Sequence, residues 1–446
     1  MEITDVDRIH QIVERAAALY PERVALQVHA NDCLRDRYTY ARLVECFKSG
    51  ATRLRACGLQ PGDRVVLLAA NSPEWAIAYL AALSAAVTVV LLDPTLTGAE
   101  LVSLIRSADP RALLLSPQLY AQLGSELKFE FPVLDIQGGL AAFAVTPTSV
   151  NAQIPPTPDP DETIASILFT SGTTSKAKGV LLGHASIIHN TRALIDRTGQ
   201  SDTNVCHQVL AVLPLNHLAG LLCTCLAPLF TGATVTFLET VSGDTILAAM
   251  QATHTTILPG VPRLFELFYS KICQQVAAKG WLTRAAVAVL GRLNQTIRTH
   301  TTWNPGAIFF RSVHQTFGGS LELSCCGAAP LAVEVERGLE RLGFTIIKAY
   351  GLTETGIVVV NGLQPDRLGH VGKPLQDIEI HISQPHPSSG EGEICVRGKT
   401  LMQGYFRDRV ATQAVMRAGW FHTGDLGRCD VEGNLLITGR IKELIV

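Results

Sequence analysis

The sequence has 446 residues, of which 47% are hydrophobic and 17% are charged, a composition typical of a globular protein with a large core. Its 37 basic and 39 acidic residues are mixed along the chain, so no basic tract supports binding to nucleic acid. The first residues are acidic and lack the apolar run of a secretory signal, and the eleven cysteines show no zinc-site spacing. We therefore expect a cytoplasmic protein with reduced thiols.

Strand-like and helix-like patterns alternate through the first part of the chain. Residues 64–69 and 112–115 are strand-like, and a charge-free stretch lies between them at residues 76–92. Its length is at the lower edge of the ~17–25 residues that can span a bilayer. However, its first half is rich in Ala and Leu and its second half is β-branched, which favours a buried helix followed by a central parallel strand. We predict no transmembrane segment.

A proline-rich connector at residues 151–161 leads into a second alternating region, which extends from about residue 163 to residue 350. From residue 377 onward the apolar pattern has a period of two, which is typical of hairpins. We predict an α/β fold with two doubly wound, mostly parallel sheets flanked by helices, and a small β-rich subdomain. The expected large domain covers residues 1–438, with subdomains at roughly 1–160, 161–370 and 371–438.

Residues 271–302 interrupt the second region with a cationic helical pattern and no strand signal. A helical excursion exposed to solvent is the simplest interpretation. A lid and a membrane-facing surface are the alternatives.

The strongest chemical signal is the segment at residues 168–180, where an apolar strand end leads into a loop of hydroxyl residues, glycines and two lysines. Hydroxyl and backbone N–H groups can surround a polyphosphate, and a lysine can neutralise its charge. The segment is not a Walker A loop, because Ala177 and Gly179 stand where that motif needs glycine and serine or threonine. The alternative is a Ser/Thr-rich surface turn.

Three further motifs follow in order. Residues 350–355, Tyr-Gly-Leu-Thr-Glu-Thr, come after a predicted strand, at the sheet end where ligands of α/β proteins collect. Residues 420–427 place Asp425 after a glycine, and residues 439–445 follow with Arg440 and Lys442.

These motifs together resemble the adenylate-forming superfamily, and most closely its fatty acyl-CoA synthetases. The resemblance covers nearly the whole chain. It implies that the protein uses ATP and Mg²⁺ to activate a carboxylic acid, expected to be a medium- or long-chain fatty acid, as an acyl-adenylate with release of pyrophosphate. The thiol of CoA would then take the acyl group. The helices at residues 271–302 are similar to those of long-chain enzymes and favour a fatty acid.

The resemblance also implies a role for individual residues. Lys178 and the loop residues would hold the β- and γ-phosphates, Thr353 would bond the α-phosphate, and Glu354 would bind Mg²⁺. His217 would lie between the acyl carboxylate and the phosphate, and Lys442 would be the hinge. The nucleotide-binding residues would be Thr170, Ser171, Gly172, Thr173, Thr174, Gly327, Ala328, Ala329, Tyr350, Gly351, Asp425 and Arg440. The acyl pocket would be lined by Leu218, Gly220, Val261 and Leu352.

The chain departs from the family pattern at three places. The phosphate loop has Ser175 and Ala177 where glycine and proline are usual, and Ala328 replaces a glycine in the adenine loop. The sequence also ends four residues after Lys442, so we expect the small C-terminal domain to be absent and turnover by this chain to be slow. Two alternatives stay open: a fatty acyl-AMP ligase that loads a carrier protein, and a weakly active nucleotide-binding relative.

Overall fold

A computed structural model describes residues 6–116, 119, 133–137, 164–170, 177–200, 205–301, 303–362 and 368–441. Within these residues the chain forms three sheets. The strands are β1 Val24–Ala30, β2 Cys33–Thr39, β3 Arg64–Leu68, β4 Thr88–Leu91, β5 Ala112–Leu115, β6 Val133–Asp135, β7 Ile164–Thr170, β8 Lys178–Gly183, β9 Gln208–Leu210, β10 Thr234–Leu238, β11 Ile257–Gly260, β12 Leu323–Cys326, β13 Ile346–Leu352, β14 Gly356–Val360, β15 Lys373–Pro374, β16 Ile378–Ser383, β17 Gly392–Gly398, β18 Gly404–Tyr405, β19 Met416–Arg417, β20 Trp420–Cys429 and β21 Leu435–Arg440.

Helices flank the two larger sheets. A π-helical turn, Leu221–Leu226, joins α6 to α7. The helices are α1 Ile9–Leu19, α2 Tyr40–Ala56, α3 Pro73–Ser84, α4 Gly98–Ala108, α5 His184–Thr198, α6 Leu218–Gly220, α7 Ala227–Thr231, α8 Gly243–Thr253, α9 Pro262–Ala278, α10 Trp281–His300, α11 Gly306–Phe309, α12 Arg311–Thr316, α13 Val333–Arg341 and α14 Arg409–Val415.

The first large sheet has the strand order β18-β8-β7-β4-β3-β5-β6. Strands β7, β4, β3, β5 and β6 are parallel, and β8 and β18 add an antiparallel edge. Strands β4 and β5 are buried at every position, as expected for parallel strands covered on both faces. Their Val- and Leu-rich sequences therefore show no alternation.

The second large sheet has the order β15-β14-β13-β12-β11-β9-β10-β1-β2. Its six central strands, from β13 to β1, are parallel, and its outer strands are antiparallel. The third sheet, β16-β17-β20-β19 with β21 beside β20, is entirely antiparallel. The predicted fold class, two mostly parallel sheets with helices and a β-rich subdomain, is confirmed.

The charge-free stretch at residues 76–92 is a buried helix followed by a central strand, as predicted. Helix α3 begins at Pro73 after Ser72, whose hydroxyl accepts a hydrogen bond of 3.2 Å from the Trp75 amide. All residues of α3 from Trp75 to Leu83 are buried, which explains why the helix shows no polar face. Among the described residues, no helix has both the length and the apolarity needed to cross a membrane.

Sheet membership does not follow the predicted subdomain boundary near residue 160. Strands β7 and β8 complete the first sheet, whereas β1 and β2 belong to the second sheet. The subdomain boundaries themselves stay a prediction, and the proline-rich connector at residues 151–161 lies outside the described residues. The helical segment predicted at residues 271–302 corresponds to the end of α9 and to α10.

Candidate functional site

The β7–β8 hairpin brings together the two ends of the predicted phosphate loop. Thr170 and Lys178 are paired in register, and the Thr170 hydroxyl lies 3.5 Å from the Lys178 carbonyl oxygen. The Lys178 ammonium lies 4.7 Å from the centre of the Tyr405 ring, a distance that permits a cation–π interaction. The predicted loop residues between the two strands, Ser171, Gly172, Thr173 and Thr174, lie outside the described residues.

The second motif spans the β13–β14 hairpin. Tyr350, Gly351 and Leu352 belong to strand β13 itself, whereas the sequence predicted that they follow the strand. Thr353 and Glu354 occupy the turn that comes next. A Cβ atom on Gly351 would lie 2.0 Å from the Gly356 carbonyl oxygen, so only glycine allows this close approach of the two strands.

Glu354 is held by a tyrosine from the opposite side of the site. The Tyr405 hydroxyl donates a hydrogen bond of 2.9 Å to Glu354 Oε1, and the Met402 amide donates one of 2.7 Å to the Glu354 carbonyl oxygen. Burial and the Glu354 carboxylate raise the pKa of Tyr405, so its hydroxyl remains a donor at neutral pH. Tyr405 therefore contacts both Lys178 and Glu354.

Tyr350, Asp425 and Arg440 form a second group of contacts. The Tyr350 hydroxyl donates a hydrogen bond of 2.8 Å to Asp425 Oδ2, and Arg440 Nε lies 2.9 Å from Asp425 Oδ1. Asp425 is 4% exposed. Burial of Tyr350, together with the nearby Asp425 carboxylate, raises the pKa of Tyr350. Because an ionised carboxylate has about four acceptor positions, two remain for further hydroxyl groups.

The backbone just before Asp425 is fixed by a neighbouring carboxylate. Glu393 accepts a hydrogen bond of 3.0 Å from the Gly424 amide, and its other oxygen lies 2.8 Å from His422 Nδ1. Cys395 Sγ lies 3.4 Å from the same nitrogen. Burial raises the pKa of Cys395 to about 11, so this side chain is a thiol that completes the packing.

The predicted adenine loop follows strand β12. Gly327 and Ala328 line the same cavity as Tyr350, whereas Ala329 is exposed beside them and does not line it. Ala328 has a φ angle of 71°, in the left-handed region that favours glycine. The structure therefore keeps the glycine-type backbone although the side chain is that of alanine.

His217 immediately precedes α6 and faces a carboxylate from the other large sheet. Its Nε2 atom lies 3.9 Å from Asp93 Oδ2, and its side chain is 54% exposed. Asp93 lies just beyond the carboxyl end of β4. A Cβ atom on Gly220 would lie 1.9 Å from the Pro214 carbonyl oxygen, so the helix that follows His217 can reach this position only with glycine at residue 220.

A cavity of about 310 Å³ joins these segments, and the predicted acyl-pocket residues all line it. Its described lining contains no Asp, Glu, Lys or Arg. Of the predicted site, the cavity brings together His217, Leu218, Gly220, Val261, Gly327, Ala328, Tyr350, Gly351, Leu352 and Thr353. Lys178, Glu354, Asp425 and Arg440 lie outside its lining and are connected to each other or to the cavity through Tyr405 and Tyr350. Lys442 lies outside the described residues.

Several residues at this site were missed by the sequence analysis. Tyr405 lies in β18 and Asp93 lies in the loop after β4, and both are outside the predicted motifs. Only the Asp-Pro step that ends an apolar run marked Asp93. Cys223 and Cys325 were expected only to be reduced thiols, yet both line the cavity. Burial raises the pKa of Cys223 to about 12 and also raises the pKa of Cys325, so both act as neutral, weakly polar wall residues.

Comparison with known proteins gives a consistent result. The sequence pattern of the family described as AMP-binding enzyme matches residues 13–406. A long-chain-fatty-acid–CoA ligase, FadD15 of Mycobacterium bovis, is 28% identical and covers 92% of this chain and 70% of its own length. An oxalate–CoA ligase of Arabidopsis thaliana is 31% identical, and the match covers 99% of this chain and 80% of that ligase. ATP-bound MatB from Rhodopseudomonas palustris is 25% identical in sequence, and its crystal structure superimposes with a TM-score of 0.74. The match covers 97% of this chain and 79% of the MatB chain.

Proposed function

The chain belongs to the AMP-binding enzyme family, and we propose that it activates a medium- or long-chain fatty acid with ATP and transfers the acyl group to CoA. In the first step a carboxylate oxygen bonds to the α-phosphorus, the bond to the β-phosphate oxygen breaks, and pyrophosphate leaves. In the second step the CoA sulfur, having lost its proton, bonds to the acyl carbon and AMP leaves. Both steps need an adenylate held beside an acyl pocket.

The observation that carries the proposal is the position of Tyr350. Tyr350 lines the cavity with Gly327 and Ala328, while its hydroxyl donates to Asp425, which is paired with Arg440. An adenine ring between Tyr350 and the backbone of the adenine loop would place its ribose toward Asp425. The remaining acceptor positions of that carboxylate suit two ribose hydroxyls, and charge-assisted hydrogen bonds of this kind are among the strong ones.

The transferred phosphate would lie between the turn after β13 and the β7–β8 hairpin. Thr353 supplies a hydroxyl at the cavity edge, and Lys178 supplies a positive charge beside Tyr405. A cation and hydrogen-bond donors lower the barrier by stabilising the charge that spreads over the phosphate oxygens in the transition state. His217 also lines the cavity, and its imidazole can orient the attacking carboxylate there.

The carboxylate of Glu354 fits the Mg²⁺ that this chemistry uses. Proteins hold Mg²⁺ through one or two carboxylates plus substrate phosphates, and Tyr405 occupies only Oε1 of Glu354. When bound, the ion would neutralise phosphate charge. The protein's own contribution is to fix the orientation of Glu354 through the Tyr405 hydroxyl and the Met402 amide.

A fatty acid is supported by the apolar character of the cavity. Leu218, Val261, Leu352 and Ile357 line it, and its described lining contains no Asp, Glu, Lys or Arg. The second carboxylate of a diacid, or the ammonium group of an amino acid, would lose its hydration without gaining a partner there. Each methylene buried in such a pocket contributes about 0.8 kcal/mol, so affinity should rise with chain length.

CoA is the proposed acceptor rather than a carrier protein. Fatty acyl-AMP ligases resemble this family but have an extra insertion after the motif at residues 350–354, and here only residues 355–367 separate that motif from the next. Both curated relatives described above are named as CoA ligases. The carrier-protein alternative therefore has no sequence feature in its favour.

Calorimetry with stable acyl-AMP mimics, in which a sulfamoyl group replaces the phosphate, tests the proposal without depending on turnover. Affinity should climb with acyl length until the cavity is filled, and aromatic or two-carboxylate mimics should bind more weakly. Asp425→Ala should lower the affinity for AMP and for all mimics by more than about tenfold, because charge-assisted hydrogen bonds are lost. The control is Asp377→Ala, which removes an exposed carboxylate paired with Lys399.

Two results would contradict the proposal at different levels. Affinity that is flat or falls with acyl length would exclude a fatty-acid pocket but leave adenylate formation intact. Unchanged AMP affinity in Asp425→Ala would show that the nucleotide site is wrongly assigned. Detection of pyrophosphate release with ATP and the best-binding acid then separates an enzyme from a nucleotide-binding relative.

A further inference from the structure

The outward side of α10 and of the segment after it exposes large apolar side chains. Six of them lie within residues 281–308, and each is at least 47% exposed. Their exposed fractions are Trp281 74%, Leu282 66%, Val289 64%, Leu293 47%, Trp303 57% and Ile308 68%. We call these six residues the α10 surface. Isolated exposed apolar residues are ordinary, but six of them within residues 281–308 indicate an interaction site.

The apolar stripe of α10 lies on the side of the helix that faces away from the rest of the protein. Leu282, Val289 and Leu293 are separated by seven and four positions, so they lie on one side of the helix. The opposite side is fixed on α13. There the Asn294 amide nitrogen donates to the carbonyl oxygens of Glu340 and Arg341 at 3.2 and 3.1 Å. The helix therefore has an inner face that is already satisfied and a separate apolar outer face.

Trp303 and Ile308 continue this surface beyond the end of α10. The Asn304 side chain, next to Trp303, donates a hydrogen bond of 2.8 Å to the Gly343 carbonyl oxygen. A Cβ atom on Gly306 would lie 2.3 Å from the Gly343 Cα atom, so the start of α11 rests closely on the chain just after α13. Both parts of the α10 surface therefore pack against the end of α13 and the residues that follow it directly.

The charge of this region differs from that of the rest of the chain. Residues 267–321 contain six Lys and Arg residues and no Asp or Glu, although acidic residues outnumber basic ones 39 to 37 overall. Lys271 is paired with Asp244, and Arg298 is buried against backbone carbonyls. The other four cations are exposed, and in the described part of the chain no carboxylate lies within ion-pair distance of them. They are Lys279, Arg284, Arg292 and Arg311.

We propose that the α10 surface docks this protein onto an anionic phospholipid membrane. Exposed Trp together with Leu, Val and Ile suits the boundary between headgroups and acyl chains. The exposed Lys and Arg residues of the same region, residues 267–321, suit anionic headgroups. Nucleic acid would satisfy the cations and stack on the tryptophans, but it offers no apolar phase for Leu282, Val289, Leu293 and Ile308. A bilayer matches both properties at once.

The α10 surface is connected to the cavity through helix α9. Helix α9 begins directly after Val261, which lines the cavity and is 40% exposed, and α9 packs against α10. A fatty acid dissolves in membranes rather than in water, so docking here would bring the cavity close to its source. That last step rests on the proposed function, whereas docking itself does not.

Co-sedimentation with vesicles tests docking with no acid or nucleotide present. The protein should bind vesicles of equimolar phosphatidylcholine and phosphatidylglycerol and bind pure phosphatidylcholine much more weakly. Raising NaCl from about 0.05 M to about 0.5 M should reduce binding, because it shortens the screening length. The triple variant Leu282→Gln, Val289→Gln and Leu293→Gln should reduce the partition coefficient by roughly tenfold or more. Arg284→Gln with Arg292→Gln should reduce only the preference for anionic vesicles.

The matched control is Val241→Gln, Val410→Gln and Val431→Gln, which changes three valines that are 62%, 79% and 98% exposed outside the α10 surface. It should bind vesicles as the unchanged protein does, and circular dichroism should show all variants folded. Equal loss of binding in the control, or no binding of the unchanged protein to anionic vesicles, would overturn the proposal. So would sedimentation velocity showing a dimer that the glutamine variant of the α10 surface dissociates.

Discussion

The Tyr405 hydroxyl donates a hydrogen bond of 2.9 Å to the carboxylate of Glu354, although 51 positions separate the two residues. The same tyrosine places its ring 4.7 Å from the Lys178 ammonium. One side chain thus sets the position of the proposed metal ligand and of the proposed phosphate-binding lysine. Tyr405 is a positioning residue in the proposed reaction, since it acts through its two neighbours.

Tyr405→Phe should weaken the binding of ATP with Mg²⁺ by roughly tenfold, because Glu354 loses a hydrogen bond to a charged group. The ring beside Lys178 is kept, so the binding of AMP without metal should change little. Calorimetry with and without Mg²⁺ measures both effects. Tyr405→Leu, which also removes the ring, should additionally lower the affinity for AMP measured without metal. An equal effect of Tyr405→Phe on both ligands would indicate a purely structural role.

Ala328→Gly should stabilise the protein by up to about 1 kcal/mol, because a left-handed backbone conformation costs an alanine about 1–2 kcal/mol and the freer unfolded glycine offsets part of the gain. The φ angle of Ala328 is 71°. Urea denaturation measures the difference. The control, Ala285→Gly, lies on the exposed side of α10 and should instead destabilise the protein by about 1 kcal/mol. Destabilisation by both variants would contradict the prediction.

Gly220→Ala should destabilise the protein by about 2 kcal/mol or more, because the new methyl group must displace the Pro214 carbonyl or shift the helix. A Cβ atom there would lie 1.9 Å from that oxygen. Gly439→Ala is the matched control, since a Cβ atom at residue 439 meets nothing within 4 Å. Urea denaturation of both variants checks the difference, and similar stabilities would show that the loop before α6 yields easily.

Acidification should destabilise the protein through His184. Burial, with the nearby positive charge of Arg8, lowers the pKa of this histidine to about 3, and its Nδ1 accepts a hydrogen bond of 3.2 Å from the Ile9 amide. Because the folded-state pKa lies below the unfolded value of about 6.5, the unfolded chain takes up the proton first. The contribution to stability is therefore complete above about pH 6.5 and declines as the pH falls toward 3.

Between about pH 6.5 and 5 the loss attributable to His184 should be about 2 kcal/mol. His184→Asn keeps an acceptor for the Ile9 amide but does not titrate. The free energy of unfolding of this variant should therefore fall by about 2 kcal/mol less than that of the unchanged protein between pH 6.5 and 5. Urea denaturation at the two pH values measures the slopes. His300→Asn, at the exposed end of α10, should keep the slope of the unchanged protein. Identical slopes for His184→Asn would refute the assignment.

Local sequence patterns are sufficient to predict the class of the fold and the types of group expected at the candidate site. Periodicity depends on which faces of a helix or strand are buried, so the buried helix α3, the central strand β4 and the hairpins after residue 377 were predictable locally. The loop at residues 168–180 and the motifs at residues 350–355 and 420–427 could be identified as candidates for the proposed nucleotide site. A phosphate and a ribose need hydroxyls, a cation and a carboxylate close together in sequence or at strand ends.

The contacts between these groups depend on tertiary structure and could not be predicted from local sequence. Strand order is set by pairing between distant segments, so β1 and β2 lie in the second large sheet although the residues after them build the first. The contacts of Tyr405 with Glu354, of Tyr350 with Asp425 and of His217 with Asp93 each join segments at least 51 residues apart. No local pattern encodes such pairs, because each depends on how whole sheets pack. The exposure of the α10 surface likewise follows from which face of that helix α13 covers.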